Sequence, residues 1–155
     1  MRIITATLIA VVLTSGIVFA VDGDKAAYIG GTVQGLKEKA EGKLNTSDEA
    51  ALGFDAKKDG VASIPYKSID SLEYGQKAGR RVGVAIMVSP LALFSKKRNH
   101  YLTVGFKDAA GKDQAAVFEL GKDIVRTTLA IIQTRSGKQV EYQDDEARKS
   151  GLGGK

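Results

Sequence analysis

The amino-acid sequence predicts a mainly β, α+β domain: a small antiparallel barrel or bent sheet of six to seven strands, capped by one C-terminal amphipathic helix. Three observations carry this expectation. Apolar and polar residues alternate with period two in several short segments. Turn-forming residues separate those segments at intervals of roughly eight to twelve residues. One stretch near the C-terminus has the helical period instead.

Taken in order, Asp22-Gly23-Asp24-Lys25 reads as a polar hinge. In AAYIGGTV (26–33), Tyr28, Ile29 and Val33 around Gly30-Gly31 predict a strand with a bulge or a close backbone approach. The charged stretch LKEKAEGKLNTSDEA (36–50) is punctuated by Gly42 and by Asn45-Thr46-Ser47-Asp48, and reads as turns. Ala50, Leu52, Phe54 and Ala56 alternate with polar or small residues, as in a half-buried strand. Lys57-Lys58-Asp59-Gly60 is a hairpin-like turn, and Ala62, Ile64 and Tyr66 alternate again. Pro65 places that strand at an edge or irregularity, because proline has no N–H for a second neighbour. Ile69, Leu72 and Tyr74 lead toward Gly75 and the basic loop 77–81. The clearest hairpin pairs Leu102, Val104 and Phe106 with Ala116, Phe118 and Leu120 across the turn Asp108–Asp113. The helix is predicted at about 123–136, capped by Asp123, striped by Val125, Leu129 and Ile132, and ended by Ser136-Gly137. The tail 143–155 is charged and glycine-rich with no apolar face, and reads as disordered.

The chain of 155 residues is 43% apolar and 26% charged, an ordinary globular balance. Its first twenty residues, MRIITATLIAVVLTSGIVFA, depart from it: Arg2 is followed by no charged residue until Asp22. The positive start, short apolar run and small or modest side chains at Val18 and Ala20 predict a signal peptide over 1–20, cleaved after Ala20, with export to the periplasm or the exterior. The alternative is an uncleaved anchor over 3–20, near the lower limit of roughly 17–25 residues for a transmembrane helix. The main domain is then 21–142. No cysteine is present, which excludes disulfides, thiol nucleophiles, thiolate metal sites and a lipoprotein anchor. The formal net charge is +5, lowered by one if Arg2 is removed. In an exported protein, that mild excess points to an anionic membrane surface or a cell-envelope component as partner; no nucleic acid is expected.

SIPYKSIDSLEYG (63–75), HYLTVGFKDAAGKDQAAVFEL (100–120) and the helix from Asp123 to Ser136 together resemble the pleckstrin-homology-like superfold, in its GRAM-like or bacterial PH-like branch. The resemblance covers about residues 26–142 and rests on strand order and the I-P-Y-x-x-I corner. It implies a strongly bent barrel closed by the C-terminal helix. Lipid-binding members carry a basic cluster in the first interstrand loop. The counterpart here, Lys37, Lys39 and Lys43, is interleaved with Glu38 and Glu41, which leaves little net positive charge.

Motifs for chemistry are absent from the sequence. There is one histidine, His100, at the entrance of a predicted strand, where a surface role is the simplest reading. No G-x-S-x-G elbow, H-E-x-x-H pair or calcium-loop pattern occurs. Gly30-Gly31-Thr32-Val33-Gln34-Gly35-Leu36-Lys37 fails as a phosphate loop, because Leu36 separates the last glycine from the lysine and Glu38 follows it. Asp144-Asp145-Glu146 reads as a solvated acidic run, and Asn45-Thr46-Ser47 as a sequon relevant only in a eukaryotic secretory route. The sequence therefore predicts no enzyme, no cofactor and no metal.

One segment stands apart. Val82–Phe94 is mostly apolar and is flanked by Lys77, Arg80 and Arg81 before it and by Lys96, Lys97 and Arg98 after it. As structure, it is a core strand whose large residues Val82, Val84, Ile86 and Val88 face one way. As function, it is a membrane-dipping loop whose six flanking cations contact lipid headgroups or another anion. The core strand is the favoured reading. The functional expectation is a non-catalytic exported binding or interaction module, its partner an unknown protein or envelope component. The alternatives are a peripheral membrane module using 80–98 and a small envelope enzyme working through carboxylates.

Overall fold

The computed structural model describes residues 24–76 and 99–153. The predicted signal segment, the apolar segment 82–94 and its flanking Lys77, Arg80, Arg81, Lys96, Lys97 and Arg98 lie outside the described residues. Eight strands form one curled half-barrel sheet, accompanied by two short helices. The strands are β1 (Asp24–Gly31), β2 (Ala40–Asn45), β3 (Ala51–Ala56), β4 (Gly60–Pro65), β5 (Ile69–Gly75), β6 (His100–Lys107), β7 (Asp113–Leu120) and β8 (Val140–Tyr142). Their order in the sheet is β4-β3-β2-β1-β7-β6-β5-β8. All neighbours are antiparallel except β5 and β8.

The predicted β6–β7 hairpin runs from His100↔Leu120 to Lys107↔Asp113, and Leu102, Val104, Ala116 and Phe118 are fully buried on its inner face. β4 is an edge strand, as Pro65 requires. β1 has the irregularity foreseen near its glycines: its register against β7 shifts between Tyr28 and Gly30. Gly31, at φ +142°, approaches the Ala115 carbonyl so closely that an added Cβ would lie 2.2 Å from its oxygen. The polar start Asp24-Lys25 belongs to β1 rather than to a hinge.

Two expectations are corrected. The described residues hold eight strands rather than six to seven, and β2 and β8 among them were not legible as strands. Within β2, Ala40, Gly42 and Leu44 are buried while Glu41, Lys43 and Asn45 face solvent. Gly42 is no turn: a Cβ there would lie 2.2 Å from the Asp55 carbonyl oxygen of β3, so the neighbouring backbone excludes a side chain. β8, at three residues, is too short to show a period.

Nor is there a single capping helix. Helix α1 (Val125–Ser136) begins after Ile124, which occupies the cap position, and no side chain caps it, so Asp123 does not serve as predicted. Its other end matches expectation: Gly137 adopts φ 68° and its N–H donates to Gln133 O. A second helix, α2 (Asp145–Leu152), occupies the tail expected to be disordered. Asp144, part of the presumed solvated acidic run, caps it by accepting from Ala147 N at 2.7 Å. The small residues that made this segment look structureless allow it to dock. Ala147 and Gly151 are buried, and a Cβ at Gly151 would meet the Tyr142 ring at 2.7 Å and the Tyr74 ring at 3.1 Å.

The core fills the concave face of the sheet and is closed by Val125, Leu129 and Ile132 of α1. A smaller cluster of Ile29, Tyr101 and Val117 occupies the opposite face.

Candidate functional site

The half-barrel carries a polar cluster at the end where β5 finishes and β6 begins. Tyr74 pairs with Leu102 across these strands, so His100, two residues earlier on the same face, comes beside the Tyr74 ring. The rings stack at 6.2 Å between centroids and 11° between planes. The Tyr74 hydroxyl lies 2.6 Å from His100 Nδ1 and 2.8 Å from Ser150 Oγ of α2. Ser150 Oγ and His100 Nδ1 are 3.4 Å apart. Gly151 makes the arrangement possible by letting α2 lie flat against Tyr74.

Burial holds the His100 imidazole below its ordinary value of 6.5, and the charge of nearby Lys122 lowers it further. The ring is therefore neutral at pH 7. Nδ1 is engaged by the Tyr74 hydroxyl, which is itself hydrogen-bonded to Ser150, so Nε2 is the ring nitrogen outside this pairing. Burial also pushes the Tyr74 phenol up, keeping it a donor at any physiological pH.

Outside this cluster lies a cavity of about 620 Å³. His100 and Ser150 line it together with Lys122, Asp123, Arg126 and Lys149. The fold brings these residues in from three elements: β6, the turn and first turn of α1, and the last turn of α2. Three permanent cations thus face one carboxylate. The uncapped N-terminus of α1 adds its own positive dipole end to the same wall. Arg126 is braced by donating from Nη2 to Gly153 O at 3.1 Å.

Two smaller cavities contrast with it. One, of about 290 Å³, is lined by Lys25 and Lys57 against Glu41 and Glu119, so its charges cancel. The other, of about 370 Å³, holds Asp108, whose carboxylate is already occupied by Ala110 N, Lys112 N and Gln114 Nε2. Those three bonds hold the Asp108 carboxyl below the ordinary range, the Lys112 N–H leading.

The geometry also bears on catalysis. Ser150 is the nucleophile candidate nearest a base, but its hydroxyl pairs with Tyr74, and the acceptor nitrogen of His100 is taken by the same phenol at the shorter distance. No group of three or more metal-binding side chains is assembled among the described residues. A buried carboxylate does occur on β5: Glu73 accepts from Gln143 Nε2 at 2.8 Å through Oε1, while Oε2 has no partner among the described residues.

The six basic residues singled out in the sequence, Lys77, Arg80, Arg81, Lys96, Lys97 and Arg98, lie outside the described residues. Of the presumed first-loop basic group, Lys37 is tied to Asp59 at 3.1 Å. Sequence reading placed His100 correctly at a strand entrance but missed its partners. Tyr74 and Ser150 lie 26 and 50 residues away in the chain, and no local pattern joins them. The one available signal was the concentration of Lys122, Arg126 and Lys149 near the helix ends. No protein-family model matches this chain, and no curated protein matches it.

Proposed function

We propose that this protein is a non-catalytic exported binding module, a PH-like half-barrel whose ligand site is the cavity bounded by β6, α1 and α2. The single observation that carries the reading is that cavity, of about 620 Å³, on which His100, Ser150 and three cations converge, with Tyr74 taking the shorter contacts to both His100 and Ser150. A space of this size suits a small ligand or one end of a larger one. Export rests on the N-terminal sequence, and the PH-like kinship rests on the strand order and corner motif.

The test is a two-dimensional amide spectrum of the full chain, titrated with a panel of neutral, cationic and anionic small molecules. Saturable shifts clustered around His100, Lys122 and Ser150 are the expected result. Turnover of any panel member, abolished by one Asp or Glu substitution, would replace this reading with the enzyme one.

A second reading has one observation in its favour. Gln76 and His100 both line the cavity, and between them runs the connection that carries the basic-flanked segment 77–98. A peripheral membrane role would then use that segment together with the cavity. It predicts salt-sensitive sedimentation with anionic vesicles, lost in Arg80→Ala/Arg81→Ala/Lys97→Ala. Binding that persists in the triple variant speaks against it.

A further inference from the structure

Resting on the binding reading above, we propose that the cavity takes an anion of the phosphate class, held by Lys122, Arg126 and Lys149 and by the Nε2–H of His100. The argument is one of charge and donor inventory. The described walls offer three cations and one imidazole beside the N-terminus of α1, which no side chain caps. Against them stands one carboxylate, Asp123. Lys122, Arg126 and Lys149 are exposed along this concave wall, so their positive potential is open to an entering anion. Neither of the other two cavities shows this imbalance.

His100 makes the site sensitive and readable. The charged groups facing it are Lys122 and Asp123 before α1, Arg126 on α1, and Lys149 on α2. Tyr74 on β5 engages Nδ1 from behind, backed by Ser150. With Nδ1 so engaged, Nε2 is the ring nitrogen left for a ligand oxygen. A bound anion offsets the field of Lys122 and favours the protonated ring, so phosphate binding moves the His100 titration upward.

Phosphate chemistry has two sources here, a soluble phosphate and a phospholipid headgroup, and the test separates them. Because the chain contains a single histidine, the imidazole resonance of the full chain reports on the site without ambiguity. It would be followed against pH with inorganic phosphate, and with chloride at matched ionic strength. In parallel, the chain would be sedimented with phosphatidic-acid vesicles and with neutral ones. The Lys122→Gln/Lys149→Gln variant, with its amide spectrum confirming the fold, accompanies every arm.

The expected result is an upward move of the His100 titration in phosphate alone and phosphate affinity about tenfold or more weaker in the variant. Vesicle binding that requires both lysines, with no response to inorganic phosphate, assigns the same chemistry to a lipid headgroup. Phosphate binding that leaves His100 and the variant unaffected overturns the proposal. So does a neutral panel member that shifts the cavity resonances while phosphate and vesicles do not, and in that case the binding reading survives. Silence from every ligand overturns both.

Discussion

Tyr28 and Tyr74 sit on the concave face of the same sheet, 1% and 0% exposed, yet they solve burial in opposite ways. Tyr28 is packed by rings: Phe118 lies 5.9 Å away edge-on, Phe54 lies 6.5 Å away, and those two are 5.3 Å from each other. That end of the barrel is held by apolar area and aromatic geometry. Tyr74 is packed by one stacked imidazole, His100, and one edge-on ring, Tyr142, and its hydroxyl serves both His100 and Ser150. The second end joins a hydrogen-bonded polar cluster to a group of exposed cations. The difference teaches where the molecule is scaffold and where it is site.

This contrast orders the expected effects of substitution. Phe118→Ala should be the most damaging, since it removes a fully buried ring shared by the aromatic cluster: about 3–5 kcal/mol, read as a lowered urea midpoint. Tyr74→Phe keeps the ring and removes only the hydroxyl, leaving His100 Nδ1 and Ser150 without their shared partner. It should cost less, about 1–2 kcal/mol. A loss from Tyr74→Phe as large as that from Phe118→Ala would erase the distinction between the two ends. Asp144→Ala removes the cap of α2 and should cost about 1 kcal/mol, felt first as faster amide exchange in 145–152. Lys107→Gln breaks an exposed pair with Asp113 on the far hairpin and should leave the urea midpoint unchanged.

The pH dependence follows from the same contrast. The folded value of His100 is depressed, so the unfolded chain binds more protons between the folded value and 6.5. Its contribution to stability is fully present above 6.5 and is lost as pH falls through that window. His100→Gln should flatten the part of the stability–pH curve lying just below 6.5. An unchanged slope would mean the ring is not held neutral by the fold.

The legibility of the sequence divides along the same line. Segments with strict alternation and clear turn residues, such as 50–56 and 100–120, were read correctly because burial on one face writes itself as period two. β2 escaped because the residue facing the neighbouring strand's backbone had to be glycine, and glycine in a charged stretch resembles a turn. α2 escaped because its docking face is made of Ala147 and Gly151, which carry no hydropathy signal. The site escaped for a different reason. Its members meet only through the β5–β6 register and the seating of α2, and neither is encoded within any short window. The segment that stood out most in the sequence, 77–98, lies outside the described residues.

The most direct test of the account is the melting temperature of the full chain and of Lys122→Gln/Lys149→Gln, each in phosphate and in chloride at equal ionic strength. If the cavity gathers cations for an anionic ligand, the variant should melt no lower than the parent chain in chloride, and phosphate should raise the parent alone. A variant that melts well below the parent in chloride, or that gains as much from phosphate, would show that these lysines serve the fold and not a ligand.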